Sequence, residues 1–226
     1  MAQIIVQNVT KAYQVGAQTI NAVSSVSLSV ERGDFISIVG HSGSGKTTLL
    51  SLIGGITNPS SGSISFEDRD ISSLTSDQLS EYRNEKIGFM FQFASLLPLL
   101  TVRENLLLPT LFSKGEPSRE EPSSKAIDLI RMVGLADKIE AYPSQLSGGQ
   151  QRRVAIARAF MNRPDVILAD EPTGDLDEDT ERDMMNFFLL MNRDAGITFI
   201  MVTHNSDLAK RSHRVIRMQQ GSILGQ

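Results

Sequence analysis

Gly40-His41-Ser42-Gly43-Ser44-Gly45-Lys46-Thr47 is the stretch on which the reading of this chain turns. It has the form G-x-x-x-x-G-K-[ST], a phosphate-binding P-loop. Glycines let the backbone curl round phosphates with its N–H groups turned inward. A following helix adds positive potential at its N-terminus. Lys46 is placed to reach the β- and γ-phosphates, and the Thr47 hydroxyl to ligate Mg²⁺. Alone, the loop does not separate an ATPase from a GTPase or a small-molecule kinase, and a glycine-rich turn before a helix would also produce it.

Its flanks supply context. Phe35-Ile36-Ser37-Ile38-Val39 reads as a short buried parallel strand. Thr47, Thr48 and the run to Ile53 read as a helix closed by Gly54-Gly55. Upstream, Ile4–Val9 and Val23–Val30 alternate as strands. Downstream come a turn at Asn58–Ser63, a strand at Ile64–Phe66, a hairpin-type turn at Glu67–Asp70, a helical turn through Leu79 and Tyr82, and a buried strand at Ile87–Phe91.

Helical periodicity then takes over. Val102–Leu111 and Ser123–Val133 read as helices, the second with Ala126, Ile127, Ile130 and Val133 on one face. Ser113–Ser124 reads as an exposed connector. The span 93–160 is expected to be a helical lobe inserted into an α/β core formed by 1–92 and 161–226, within one domain of 226 residues. The core resumes with a strand at Val166–Asp170 and a helix at Asp179–Arg193 that turns Met184, Met185, Phe188 and Met191 inward. A strand at Ile197–Val202 and a terminal pair around Gly221 complete it.

Composition bounds the function. Hydrophobic residues make up 40% of the chain, as in ordinary globular proteins. The net charge of −4 carries no basic bias toward nucleic acid. With no cysteine, disulfide and thiolate chemistry are excluded. No signal peptide is visible and no window approaches 18 apolar residues, so any membrane spans are expected from another subunit.

A second anion-binding pattern is Ser147-Gly148-Gly149-Gln150, read as opening a helix at Gln151. A serine hydroxyl, glycine N–H groups and a helix N-terminus face one direction. By itself a simple helix cap explains it better. Further on, Val166–Asp170 is an apolar strand ending in a carboxylate, the Walker B pattern for holding Mg²⁺. Glu171 follows at the carboxyl end of that strand, where open α/β sheets place their sites and a carboxylate can polarise water. The plain alternative for Glu171 is a surface acid.

These motifs, in this order over nearly the whole chain, resemble the ATP-binding subunit of an ABC (ATP-binding cassette) transporter. The resemblance implies a P-loop NTPase (RecA-like) α/β core with an N-terminal antiparallel β subdomain and an inserted α-helical subdomain. It implies ATP and Mg²⁺ as cofactors. It assigns nucleotide binding to Tyr13, Gly40, His41, Ser42, Gly43, Ser44, Gly45, Lys46, Thr47 and Thr48. Tyr13 would stack on adenine, though a strand-edge aromatic is the plain alternative. Gln92 would sense Mg²⁺ and water beside Thr47 and Asp170, Glu171 would act as base, and His204 would contact the γ-phosphate. Ser147, Gly148, Gly149 and Gln150 would act in trans on a second copy. Gly174–Asp177 would cross between copies, with Asp175 standing where close relatives often carry asparagine. His41 otherwise reads as a variable loop residue, and His213 as surface or packing.

Phe91–Asn105, Leu108-Pro109, Asp170–Asp177 and Arg214–Gly221 resemble, within that family, the bacterial lipoprotein-releasing and macrolide-exporting group. That implies a homodimer docked through Gln92–Leu100 on an integral-membrane permease, at the cytoplasmic face of the inner membrane, with no nucleic acid partner. An importer ATPase and a non-transport mechanical regulator of the same family stay open as alternatives.

Overall fold

The structure is a computed structural model describing residues 2–113 and 121–224. Two sheets organise it. The first is antiparallel, in the order β2-β1-β4-β5, built from β1 (Ala2–Val15), β2 (Gln18–Glu31), β4 (Ser61–Phe66) and β5 (Arg69–Asp70). β1 and β2 run well past the predicted Ile4–Val9 and Val23–Val30. Register shifts, one of them between Val6 and Val9, let the pair stay bonded through its irregularities to Val15 opposite Gln18. The predicted turn over Glu67–Asp70 narrows to Glu67-Asp68, both at positive φ, and Arg69-Asp70 joins the sheet.

The second sheet runs β10-β9-β3-β8-β7-β6. Its strands are β3 (Phe35–Val39), β6 (Ile87–Met90), β7 (Val166–Asp170), β8 (Thr198–Val202), β9 (Arg214–Gln219) and β10 (Ser222–Leu224). All pair in parallel except β10, which turns back antiparallel on β9. This sheet is covered on both faces, which is why β3, β7 and β8 read as continuous apolar runs rather than alternations.

One face packs on helices α3 (Val102–Leu107), α4 (Pro122–Met132), α5 (Gly148–Ala159) and α6 (Glu178–Ala195), with Phe35 stacked on Phe199 at 4.9 Å. The other face packs on the antiparallel sheet and on α1 (Lys46–Ile53), through Ile36 and Ile38 from β3 and Leu49, Leu52 and Ile53 from α1. α2 (Ser76–Lys86) lies beside this second core, and the single-turn α7 (Ser206–Ala209) follows β8.

Several local expectations shift. In α4 the inward residues are Ala126, Leu129 and Ile130, and Ile127 is only half-buried. Position 129 completes the i, i+3, i+4 stripe from 126 better than 127 does. In α6, Phe187 and Asn192 turn inward while Met191 stays half-buried. Asn192 is worth burying because its Nδ2 donates to the carbonyls of Gly33 and Ile197. The predicted connector Ser113–Ser124 falls largely outside the described residues, and Pro122 already begins α4.

Candidate functional site

The cleft lies at the carboxyl ends of the parallel strands, with a volume of about 610 Å³. β3 delivers Gly40–Thr47 to its floor. The turn is tight. Gly45 sits at φ 99, and a Cβ there would come 2.1 Å from the Ala22 carbonyl, so only glycine fits. The loop rests on the β9–β10 turn, where Gly221 N–H donates to the Ser44 carbonyl at 3.0 Å.

Lys46 is 9% exposed. Its Nζ donates to the carbonyls of Gly40 and His41, each at 2.9 Å, which holds the charge at the mouth of the loop. Thr47 opens α1 beside it, and its Oγ1 donates to Asp170 Oδ2 at 2.8 Å across 123 residues of sequence.

Asp170 ends β7. Burial pushes its carboxyl above the ordinary carboxylate value; the hydrogen bond from Thr47 opposes this, and the neighbouring charge of Glu171 adds to it. A desolvated carboxylate beside a threonine hydroxyl is relieved by a small hard cation. The described residues hold no cluster of three or more His, Cys, Asp or Glu side chains that could bind a metal. The Thr47 and Asp170 oxygens make a sparse protein donor set that suits Mg²⁺, a cation that keeps waters and substrate phosphates as its remaining ligands.

Glu171 takes a left-handed backbone conformation, φ 48, as β7 ends. For a non-glycine residue this stores strain of order 1 kcal/mol, a pattern typical of functional sites. Its N–H donates to the Val202 carbonyl at 3.0 Å, so the residue is aimed by β8. His204, just past β8, places Nδ1 2.9 Å from Glu171 Oε1. The two differ in burial, Glu171 being 17% exposed and His204 75%.

Gln92 also lines the cleft, two residues past the end of β6, and so does Asp175. Tyr13, His41, Asp177 and Ser147–Gln150 do not line it. Tyr13 is on the long β1–β2 ribbon, with Lys11 Nζ over its ring at 5.2 Å. Asp177 caps α6, accepting from Thr180 N–H. The helix after Ser147 starts at Gly148, not Gln151. Ser147 and Gln150 form a reciprocal cap, Ser147 Oγ accepting from Gln150 N–H and Gln150 Oε1 from Ser147 N–H. The cap uses the hydroxyl only as acceptor, which leaves its proton for another partner. Cap and anion site are thus compatible in one residue.

Two residues escaped the sequence reading. Arg152, on α5, reaches into the cleft wall. Glu181, on the first turn of α6, accepts from Thr173 Oγ1 at 3.2 Å and Asn205 Nδ2 at 3.3 Å. It staples the segment after Glu171 to the segment after His204. No local pattern marks either, because each meets its partners only after folding.

Residues 23–174 match the family model described as ABC transporter. The macrolide export ATP-binding/permease protein MacB of Rhodopirellula baltica is 42% identical over 94% of this chain, which spans 31% of that protein's length. The uncharacterized ABC transporter ATP-binding protein MJ0796 of Methanocaldococcus jannaschii is 42% identical over 97% of this chain and 94% of its own. A structure of that cassette, described as a dimeric post-hydrolysis state bound to ADP and Pi, superposes with a TM-score of 0.93 at 40% identity, covering 98% of this chain and 97% of the other. The chain belongs to the ABC transporter family, of which it carries the ATP-binding cassette.

Proposed function

We propose that this chain hydrolyses ATP as half of a two-copy site and so powers a membrane permease of the lipoprotein-release, macrolide-export or peptide-export type. The carrying observation is the convergence of Lys46, Thr47, Asp170, Glu171 and His204 on one cleft while Ser147–Gly149 stays off its lining. The cleft holds the means to bind and cleave a nucleotide. The signature, an exposed capped helix start on the helical lobe of residues 93–160, is free to meet the nucleotide of another copy.

In this reading Lys46 and the inward N–H groups of Gly40–Thr48 offset phosphate charge, and Tyr13 stacks on the adenine. Mg²⁺, held by Thr47, Asp170 and Gln92, supplies further neutralisation of the phosphates when bound. Glu171 orients water for in-line attack, and His204 steadies Glu171 and meets the γ-phosphate. ATP joins the two copies through Ser147–Gln150, with Asp175 and Asp177 at the crossing. Hydrolysis removes the bridging charge and the copies part. The dimeric state described for the MJ0796 cassette supports this cycle.

The permease is taken to dock on 92–100, where Phe93 and Leu99 are exposed apolar side chains. No helix among the described residues is long and apolar enough to cross a membrane. The match to proteins named for both ATP binding and a permease supports the pairing. The working site would be the cytoplasmic face of the membrane. Because the chain has no cysteine, Leu99→Cys gives a unique thiol. Cross-linking of that thiol to a co-expressed export permease is expected, and its failure in an actively transporting complex would remove the docking assignment.

A further inference from the structure

Asp175 puts an exposed carboxylate, 72% accessible, on the rim of the cleft, yet that carboxylate is not loose. Nη2 of Arg152 holds its Oδ2 at 2.9 Å, and the Arg152 side chain is itself only 4% exposed. The other arm of the same guanidinium, Nη1, donates to the Phe91 carbonyl at 2.7 Å. Phe91 immediately precedes Gln92. Arg152 lies on α5, whose first turn is the Ser147–Gln150 cap.

One planar group therefore joins three segments: the signature helix, the strand-end segment that carries Gln92, and the Gly174–Asp177 loop. A guanidinium is a rigid fork, so its two arms fix the distance and angle between their acceptors. A buried cation deprived of a partner is strongly destabilising, which keeps both arms engaged. Movement of the 91–92 segment is then felt at Asp175 through a single side chain.

We propose that Arg152 is a positioning residue for hydrolysis, setting Gln92 against the Gly174–Asp177 loop through its paired contacts with Phe91 and Asp175. This rests on the reading of the cleft as an ATPase site. Arg152 touches neither phosphate nor water in this role; it orders the groups that do.

The test uses the whole chain as wild type, Arg152→Gln, Arg152→Lys, Asp175→Asn and the double variant Arg152→Gln/Asp175→Asn. Three quantities are measured: kcat and KM for ATP, affinity for a fluorescent ATP analogue, and melting temperature. Arg152→Gln and Arg152→Lys are expected to lower kcat about tenfold or more with analogue affinity within about threefold. Lysine is expected to fail because a point charge cannot span both acceptors. Asp175→Asn is expected to lower kcat about threefold, and the double variant to be no slower than Arg152→Gln within about twofold, as for residues acting as a unit.

A merely structural arginine would lower the melting temperature and the analogue-binding fraction while leaving turnover per binding-competent molecule unchanged. That result overturns the proposal. So does a lysine variant within about twofold of wild type, or losses that multiply in the double variant. If Arg152→Gln does not fold, Asp175→Asn decides, since it sits on an exposed loop, and unchanged kcat there overturns the proposal. A wild-type chain without turnover overturns the ATPase reading and this inference with it, whereas active wild type with unaffected variants removes Arg152 alone.

Discussion

His204 Nδ1 lies 2.9 Å from Glu171 Oε1, although the two residues come from the ends of different strands. β7 and β8 are neighbours in parallel register, with Asp170 opposite Val202, so the residues just beyond them meet. Nδ1 faces the carboxylate, which leaves Nε2 as the ring nitrogen turned away from Glu171. Glu171→Gln and His204→Ala are each expected to lower kcat by about 10²–10⁴. The double variant should lose much less than the product, because the pair acts as one unit. Glu171→Gln should still bind ATP and remain dimeric with it, as read by light scattering. Near-normal turnover in Glu171→Gln would sink the assignment of the base.

Gly148 offers a clean test of a site shared between copies. A Cβ built there meets nothing within 4 Å in its own chain. Gly148→Asp should therefore fold normally and bind nucleotide with unchanged affinity, yet lose hydrolysis by about 10²-fold or more if the residue works on a second copy's phosphates. Ser147→Arg should behave alike, with some added loss of stability from the removed cap, about 1 kcal/mol. In equal mixtures with wild type, activity should fall below simple dilution. Activity equal to dilution would rule out the shared site.

Asp170 makes stability depend on pH in a direction that can be worked out. Burial raises its carboxyl above the ordinary 3.8, so folding favours the protonated form. The stabilisation this gives is fully present below the unfolded value and is lost as pH rises through the raised folded value. At neutral pH the ionised carboxylate thus opposes folding, more so with Glu171 beside it. Asp170→Asn keeps an acceptor for Thr47 and removes the charge. The nucleotide-free variant is expected to melt higher than wild type at pH 7, with the difference shrinking toward pH 4, while turnover is abolished. A lower melting temperature at pH 7 would contradict the argument.

Tyr82 supports the nucleotide helix from behind. Its hydroxyl donates to the Ile53 carbonyl, at the end of α1, at 3.0 Å. Burial pushes that hydroxyl's pKa well up, so it stays a neutral donor throughout the accessible pH range. Tyr82→Phe should cost about 1 kcal/mol, since it leaves a carbonyl short of a partner. Denaturant melts read this directly. The kcat should be unchanged, because Lys46 and Thr47 sit at the opposite end of the helix.

Much of the fold was legible because its signals are local. The buried runs at Phe35–Val39 and Val166–Asp170 fall where strands form, since a sheet covered on both faces selects apolar residues without alternation. Boundaries were less legible. β1 and β2 persist to Val15 and Gln18 because pairing with each other outweighs the polarity of the individual residues. Ile127 and Leu129 exchanged roles because a single helix offers two overlapping apolar stripes, and only the neighbouring helices choose between them. The start of α5 shifted to Gly148 because the reciprocal Ser147–Gln150 cap outweighs the low helix propensity of two glycines.

The sequence by itself determined the chemistry available at each contiguous motif. Gly40–Thr47 reads as a tight glycine-rich turn before a helix, and the left-handed backbone and close approach to Ala22 at Gly45 suit only glycine there. Ser147–Gln150 is likewise a helix start written in adjacent residues. The tertiary structure alone decided which of these groups meet. Thr47 finds Asp170 across 123 residues because β8 separates their strands by one position in the sheet. Arg152 finds Asp175 and Phe91 because α5 packs against β6, bringing side chains from distant segments to one cleft wall. Backbone shape follows from neighbours along the chain, whereas a pairing of side chains follows from strand order and helix packing, which adjacent residues do not encode.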